Sequence, residues 1–418
     1  MRLLHTTTLE FAEFFSPPAY AILSHRWGDA EVSYDDFLYH RKLDGQGYRR
    51  VIDCCALAKS EGLEYVWIDT CCIDKRSSAK LAEAINSMWQ WYTRAKECYA
   101  FLNDVDSDPA TIIDMSRRPL SAEYHVPSAW FSRGWTLQEL LAPRVAIFYD
   151  RHWIRIGGKL DDEILLEPSR ITSIPRDCLI SQFSLNNACV AKKFSWAAAP
   201  TTTRPEDMAY CLLGLIGINM PLLYGEGPKG FLRLPQEIIR QTNDESLYAW
   251  LENRADRDDT CGILPNDITS FRYSGEVRSA DRVMRLPYSV TNQCLDIQSV
   301  IRRVPGEEIW LLALNCEYGS FTVMNWYYPR VNDIEGGRVK SAVKQTYHPC
   351  VIALTKVSNR YLRIAAGGLG DHLNEAYSYA EGTEVGSIAT QRFIVRLQRY
   401  DNEYEAANIV LNNKVRRL

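Results

Sequence analysis

Two short stretches concentrate the residue types that do chemistry. Ser24-His25-Arg26-Trp27-Gly28 follows the apolar run Tyr20 to Ser24, and Asp69-Thr70-Cys71-Cys72-Ile73-Asp74 follows the run Tyr65 to Asp69. Both read as turns leading from a strand toward a helix, and in open α/β sheets such turns meet in a crevice outside the carboxyl ends of the strands. If the two strands are neighbours, Arg26 offers a guanidinium suited to phosphate and Trp27 an indole for stacking a base. Asp69 and Asp74 then supply carboxylates for ribose hydroxyls or acid–base work. The plainer reading is that Arg26 only pairs with Asp69 or Asp74 and Trp27 only covers the sheet edge. Ser24 and His25 make a poor hydrolase pair, because adjacent strand residues project to opposite faces, and no Gly-x-Ser-x-Gly elbow occurs. Cys71 and Cys72 become nucleophiles only if something depresses their pKa; buried, inert thiols are the commoner outcome.

These residues need elements to hold them. From Tyr20 to about Tyr149, short apolar runs alternate with helical periodicity, the pattern of a parallel sheet covered by helices. Four strands are expected, at Tyr20 to Ser24, Tyr65 to Asp69, Cys98 to Leu102 and Val145 to Tyr149. Between the first two, Val51, Cys55 and Ala58 mark one helical face, and Gly62 can close that helix in a left-handed conformation. After the second strand, Ser77 or Ser78 can cap a helix whose core stripe is Leu81, Ile85, Met88, Trp89 and Tyr92. Lys80, Glu83 and Ser87 fall on a different, polar face, expected to border the crevice at its first turn.

Further along, Trp130-Phe131-Ser132-Arg133-Gly134-Trp135 leads into Thr136-Leu137-Gln138-Glu139-Leu140-Leu141, where the default role of Trp135, Arg133 and Glu139 is architectural. The long loop from Asp104 to Pro127 has the length of a lid or a partner surface. Residues 185 to 241 read as helices interrupted by a loop at Pro221 to Pro228. Gly225-Glu226-Gly227-Pro228-Lys229-Gly230 spells a dinucleotide fingerprint, but a short, proline-bearing run precedes it instead of a buried strand. A loop entering a helix at Lys229 is expected. Beyond Trp250, EIWLLALNCEY, FTVMNWYY, CVIALTK, RYLRIAA and RFIVRLQRY are strand-like runs, with the polar stretch Asn253 to Asp259 as the boundary. The expected division is residues 1–150, an α/β domain; 151–252, a helical extension; and 253–418, a β-rich domain.

The composition narrows the function classes. With 48 Lys and Arg against 52 Asp and Glu and a net charge of -4, the chain of 418 residues lacks the basic footprint of a nucleic-acid binder. Its 12 cysteines fall as adjacent pairs and scattered singles without Cys-x-x-Cys spacing, so no metal site is expected and a reducing, cytoplasmic setting is. No run is long and apolar enough to suggest a membrane span.

Three long motifs carry a resemblance. YAILSHRWG from Tyr20, YVWIDTCCIDKRSSAKLAEAINSMWQWYTRAKECYAFLNDV from Tyr65 and WFSRGWTLQELLAP from Trp130, in that order, resemble the fungal heterokaryon-incompatibility (HET) domain over roughly residues 1–149. The segment from Thr201 to Trp250 resembles the helical extension that accompanies it. The HET domain is similar to the Toll/interleukin-1 receptor (TIR) fold, which implies a flavodoxin-like parallel sheet with helices on both faces; Trp135 with Glu139 and Leu140 resembles the TIR Trp-Cys-x-x-Glu-Leu signature. The resemblance implies non-self recognition and regulated cell death through protein partners or self-association. Because some TIR domains cleave NAD at the nicotinamide bond, it also makes NAD a candidate ligand or substrate. The position matched to the TIR glutamate is Lys80, and an ammonium repels the oxocarbenium-like charge that a carboxylate stabilises. Glu83, Asp69 and Asp74 are then the candidate acids, and Ser24, His25, Arg26, Trp27, Lys80 and Trp135 the candidate ligand-binding residues. The family acid also fits a helix capping box, in which case its loss costs only helix stability; a catalytically inactive paralogue is a separate third reading.

Overall fold

Short β-branched and aromatic runs, bounded by turn residues, form a sheet of seven strands. The structure is a computed structural model. It describes residues 1–106, 116–117, 126–250, 260–261, 263–280, 289–290, 294–299, 301–303, 309–320, 346–357, 360–364 and 391–396. In chain order the strands are β1 (Arg2–His5), β2 (Phe11–Glu13), β3 (Tyr20–His25), β4 (Tyr65–Ile68) and β5 (Glu97–Phe101), then a small ribbon of β6 (Ser116–Arg117) and β7 (Val126–Pro127), then β8 (Ala146–Tyr149) and β9 (Arg155–Gly158). The sheet runs β2-β1-β4-β3-β5-β8-β9. Its centre, β4-β3-β5-β8, is parallel, while β1, β2 and β9 are antiparallel additions at its edges. Because the chain leaves β3 for β4 on one side and returns to β5 on the other, the carboxyl end of β3 is where a doubly wound sheet opens its crevice.

The helices are α1 (Tyr34–Leu38), α2 (Gln46–Ser60), the single turn α3 (Asp69–Cys72), α4 (Ser78–Arg94) and α5 (Thr136–Leu141). Every residue of β3 is buried, as a central strand covered on both faces requires. The α2 helix presents Val51, Cys54, Cys55 and Ala58 to the core and stops before Gly62, whose φ of 79° is the left-handed turn that glycine adopts without strain. In α4 the Ser77 side chain accepts from the Lys80 amide at 3.3 Å, and Ala84, Ile85, Met88 and Tyr92 are buried. Gly214 packs on this helix so closely that a Cβ there would sit 2.2 Å from the Cβ of Trp89, so the approach of residues 213–216 needs glycine.

The chain divides into two compact units, one made of residues 1–187 and 199–237, the other of 188–198 and 238–418. The first holds the seven-stranded sheet. In the second, Asp244 and Ser246 accept from the Val190 and Ala191 amides at 2.7 and 3.0 Å, satisfying free donors at the start of the helix Val190–Ala197. Phe194 of that helix meets Phe271 with ring centroids 5.0 Å apart. Among the described residues, nine strands of this unit join in one sheet, built around the antiparallel pair Ile309–Ser320 and Thr346–Val357. FTVMNWYY, the Asn253 to Asp259 boundary and most of the loop from Asp104 to Pro127 lie outside the described residues.

Among the described residues, no helix is long and apolar enough to cross a membrane, and no group of three or more His, Cys, Asp and Glu is arranged to hold a metal ion. Cys54, Cys55, Cys71, Cys72, Cys98 and, further along, Cys178, Cys189, Cys211, Cys316 and Cys350 are free and buried. At Cys71, a hydrogen bond with Cys72 and burial both push the thiol well above its ordinary range. That argues against Cys71 as an activated thiol, because the thiolate is the nucleophile.

Candidate functional site

The last residues of β3 point two ways, as strand alternation demands. Ser24 turns toward α5: its Oγ accepts from Trp130 Nε1 at 2.8 Å and donates to Glu139 Oε2. The hydroxyl is fully engaged. His25 turns the other way, with Nε2 3.4 Å from Glu31 Oε2 and Nδ1 3.9 Å from Asp69 Oδ1, and those last two buried atoms have no hydrogen-bond partner. Glu31 also meets Arg50 at 2.5 Å and accepts from the Gly28 amide at 2.9 Å. Burial opposes ionisation of Glu31, yet His25, Arg50 and Gly28 together outweigh it and hold the carboxyl at about 2.

Just past β3, Trp27 donates its indole N–H to Asp69 Oδ2 at 2.7 Å. The Lys75 ammonium lies 3.5 Å from the centroid of the same ring, and the Arg133 guanidinium carbon 5.9 Å from it. Arg133 also donates to the His25 carbonyl at 2.8 Å, tying the entry to α5 to the end of β3. The turns after β3 and β4 and the segment before α5 thus surround one opening, because β3 and β4 are parallel neighbours.

That opening is a cavity of about 690 Å³. Arg26, Trp27, Asp69 and Lys75 contribute from the strand ends, Leu81, Ile85 and Met88 from α4, and Arg133, Trp135 and Glu139 from around α5. Thr201, Thr202, Thr203, Arg204, Asp207 and Tyr224 complete the wall. Burial raises the Glu139 carboxyl above its ordinary value, with Arg133 and Ser24 pulling the other way. Asp207 is raised by burial too, although it accepts from the Tyr224 hydroxyl at 2.9 Å. The arrangement offers a polar, cation-lined chamber with an apolar side and a buried carboxyl that retains its proton more readily than one in water.

Residues 20–121 match the heterokaryon incompatibility protein (HET) family. The chain is also 41% identical over 228 residues to the vegetative incompatibility protein HET-E-1 of Podospora anserina. That alignment takes in 53% of this chain, and the chain spans 16% of the length of that relative. No solved structure matches the chain.

The HET-matched segment holds all the residues singled out from sequence except Trp135, and the structure separates them into two places. Arg26, Trp27 and Asp69 line the cavity, joined by Trp135, while Ser24 and His25 are buried at the end of β3. Asp74, Lys80 and Glu83 instead line a separate pocket of about 50 Å³ with Met1, Arg2 and Trp67. The expectation that Asp74 and the polar face of α4 border the same crevice as Asp69 is therefore corrected. Helical periodicity explains it: once Leu81, Ile85 and Met88 face the cavity, Lys80 and Glu83 are turned away from it. Asp74 is held at 3.0 and 3.1 Å by the Arg76 guanidinium, and Lys80 stands 3.9 Å from Glu83 at the surface.

Sequence reasoning passed over Lys75, Arg133, Glu139, Arg204 and Asp207 as site residues. Glu139 carried a usable signal: an acid within the apolar run Leu137 to Leu141, whose burial demands a dedicated partner. Arg204 and Asp207 carried none, because nothing in their spacing ties them to β3. The glycine-rich loop behaves as the sequence implied. Glu206 Oε1 accepts from the Gly225 and Gly227 amides at 2.8 and 2.9 Å, so the chain itself fills the place a phosphate would take.

Proposed function

We propose that this chain is an incompatibility protein of the HET class, acting in non-self recognition and regulated cell death through protein partners or self-association in the cytoplasm. The observation that carries this reading is the 41% identity over 228 residues to a vegetative incompatibility protein, with the HET match inside the first unit. A TIR-like, flavodoxin-like domain over residues 1–150 is part of the proposal, supported by the parallel order β4-β3-β5-β8. So is the continuation into a helical extension over 151–252 and a β-rich module over 253–418. Expression in a filamentous fungal host, with hyphal viability scored after fusion with a panel of strains, tests it. Loss of viability in particular pairings is expected; full viability in every pairing counts against it.

A second reading is hydrolysis of NAD at the nicotinamide bond, favoured by the placement of Glu139 and Asp69 on the cavity wall. In that reaction the ribose carbon–nitrogen bond breaks, the oxygen of water bonds to the ribose carbon, and nicotinamide leaves with release of one proton. A carboxylate beside the ribose stabilises the positive charge that develops. Nicotinamide release by the purified chain is then expected to fall about a hundredfold in Glu139→Gln or Asp69→Asn. Glu83→Gln, Asp74→Asn and Lys80→Glu, all outside the cavity, leave it unchanged. No release by the unaltered chain assigns it to the non-catalytic members of such a family.

A further inference from the structure

We propose that Glu61 and Glu97 form a proton-sharing carboxyl pair, a pH-sensitive clamp that ties the end of α2 to the start of β5. The pair stands at the amino end of the parallel strands, away from the cavity, and is independent of any ligand bound there.

Glu61 is the residue that ends α2, just ahead of the left-handed Gly62, and Glu97 opens β5. Two residues along that strand, and so on the same face, Tyr99 donates its hydroxyl to Glu61 Oε2. Glu97 makes a hydrogen bond with Glu61 as well. Two ionised carboxylates hold acceptors only, so one member of the pair must carry a proton. The Tyr99 bond identifies which. Burial and the bond to Glu61 push the Tyr99 hydroxyl far above its ordinary range, so it stays a donor and Glu61 stays its acceptor. Glu97 is then the protonated member. Among the described residues no N–H or O–H reaches its buried Oε2.

No cation takes the place of that proton among the described residues. Lys96, exposed and adjacent in sequence, favours the ionised form of Glu97 without forming an ion pair with it, and Arg155 of β9 is engaged by Asp161 at 3.3 Å. The other titratable neighbours, Cys54 of α2, Tyr99 and Tyr149 of β8, are buried and neutral, the two tyrosine rings meeting edge to face at 5.7 Å. Burial first, then the hydrogen bond and charge of Glu61, raise the Glu97 carboxyl to about 7. Because this lies above the ordinary 4.5, the stabilisation is complete below 4.5 and is lost as pH rises through 7, where two carboxylates come to face each other.

Carbon-13 NMR of the full chain labelled at its glutamate carboxyls, titrated from the acid range to above neutrality, tests this. One carboxyl is expected to titrate near 7, to vanish in Glu97→Gln, and to return to the ordinary range in Glu61→Gln, whose amide donates to an ionised Glu97. Hydrogen exchange supplies a second readout at the Gly62 and Leu63 amides, which donate to the Lys59 and Ala58 carbonyls at 3.0 and 2.9 Å. With intrinsic base catalysis divided out, their protection is expected to drop about tenfold from about pH 5 to about pH 8 in the unaltered chain and to stay level in Glu97→Gln. Glu167→Gln, at a surface pair with Arg170, leaves both readouts unchanged. Absence of a near-neutral titration that Glu97→Gln removes overturns the proposal. A Glu97 titration unmoved by Glu61→Gln assigns the shift to burial alone and overturns the pairing, and protection with the same pH dependence in the unaltered chain and Glu97→Gln overturns the clamp.

Discussion

On the outer face of α4, Lys80 stands 3.9 Å from Glu83, and just ahead of the helix Arg76 grips Asp74 at 3.0 Å. In the cavity, Arg26, Arg133 and Arg204 share a wall with Asp69, Glu139 and Asp207, yet among the described residues none of the arginines forms an ion pair with an acid. Both regions mix acids and bases in similar proportion. The surface set neutralises itself in high dielectric, where each pair contributes little. The cavity set keeps its charges apart because neutral hydroxyl and N–H donors satisfy the acids first. Proximity in sequence produced the first pattern, and convergence of distant segments produced the second.

The largest test of this contrast is Ser24→Val. It leaves the Trp130 N–H and the Glu139 carboxyl without their shared partner, at a cost of about 2–4 kcal/mol in urea denaturation followed by tryptophan fluorescence. A loss no larger than that of a surface substitution would break the comparison. Next comes Glu31, whose carboxyl is depressed from 4.5 to about 2. Its contribution is complete above 4.5 and is lost as pH falls toward 2. Glu31→Gln should therefore flatten the acid limb of the stability profile by about 1–2 kcal/mol after allowance for solvent screening.

Glu139 has the opposite sign. Its folded-state pKa is raised above 4.5, so the unfolded chain releases its proton first and the group's contribution declines as pH rises from there until Glu139 itself ionises. Glu139→Gln should remove that decline, measured as urea midpoints across the pH range. At the small end, Lys80→Glu and Glu83→Gln should leave melting temperature unchanged, since both side chains are half exposed and outside the cavity. A measurable drop in melting temperature from either would break the contrast between the two regions.

The parallel core was legible because each strand announces itself. The runs expected from Tyr20, Tyr65, Cys98 and Val145 differ from β3, β4, β5 and β8 by a residue at one end or both. Ser77 caps α4 and Gly62 follows α2 with positive φ, both as capping chemistry implies. The edge strands β1 and β2 escaped notice, being three or four residues long and only partly buried, with no sustained alternation. The site was half legible. Arg26, Trp27 and Asp69 stand at strand ends that local pattern reveals, whereas the rotation of α4 that excludes Lys80 and Glu83 depends on what packs against Leu81 and Met88. Arg204 and Asp207 enter from more than a hundred residues away, a distance that periodicity does not span.

The glycine loop after Tyr224 carries its own anion. The loop amides of Gly225 and Gly227 are occupied by Glu206, a carboxylate covalently part of the chain and therefore present at an effective concentration that a dissolved phosphate at metabolite levels does not match. That loop is insulated from metabolism. Among the described residues, no ion pair holds Arg26, Lys75, Arg133 or Arg204 in this way, so the two parts of the molecule differ in how tightly charge is tethered.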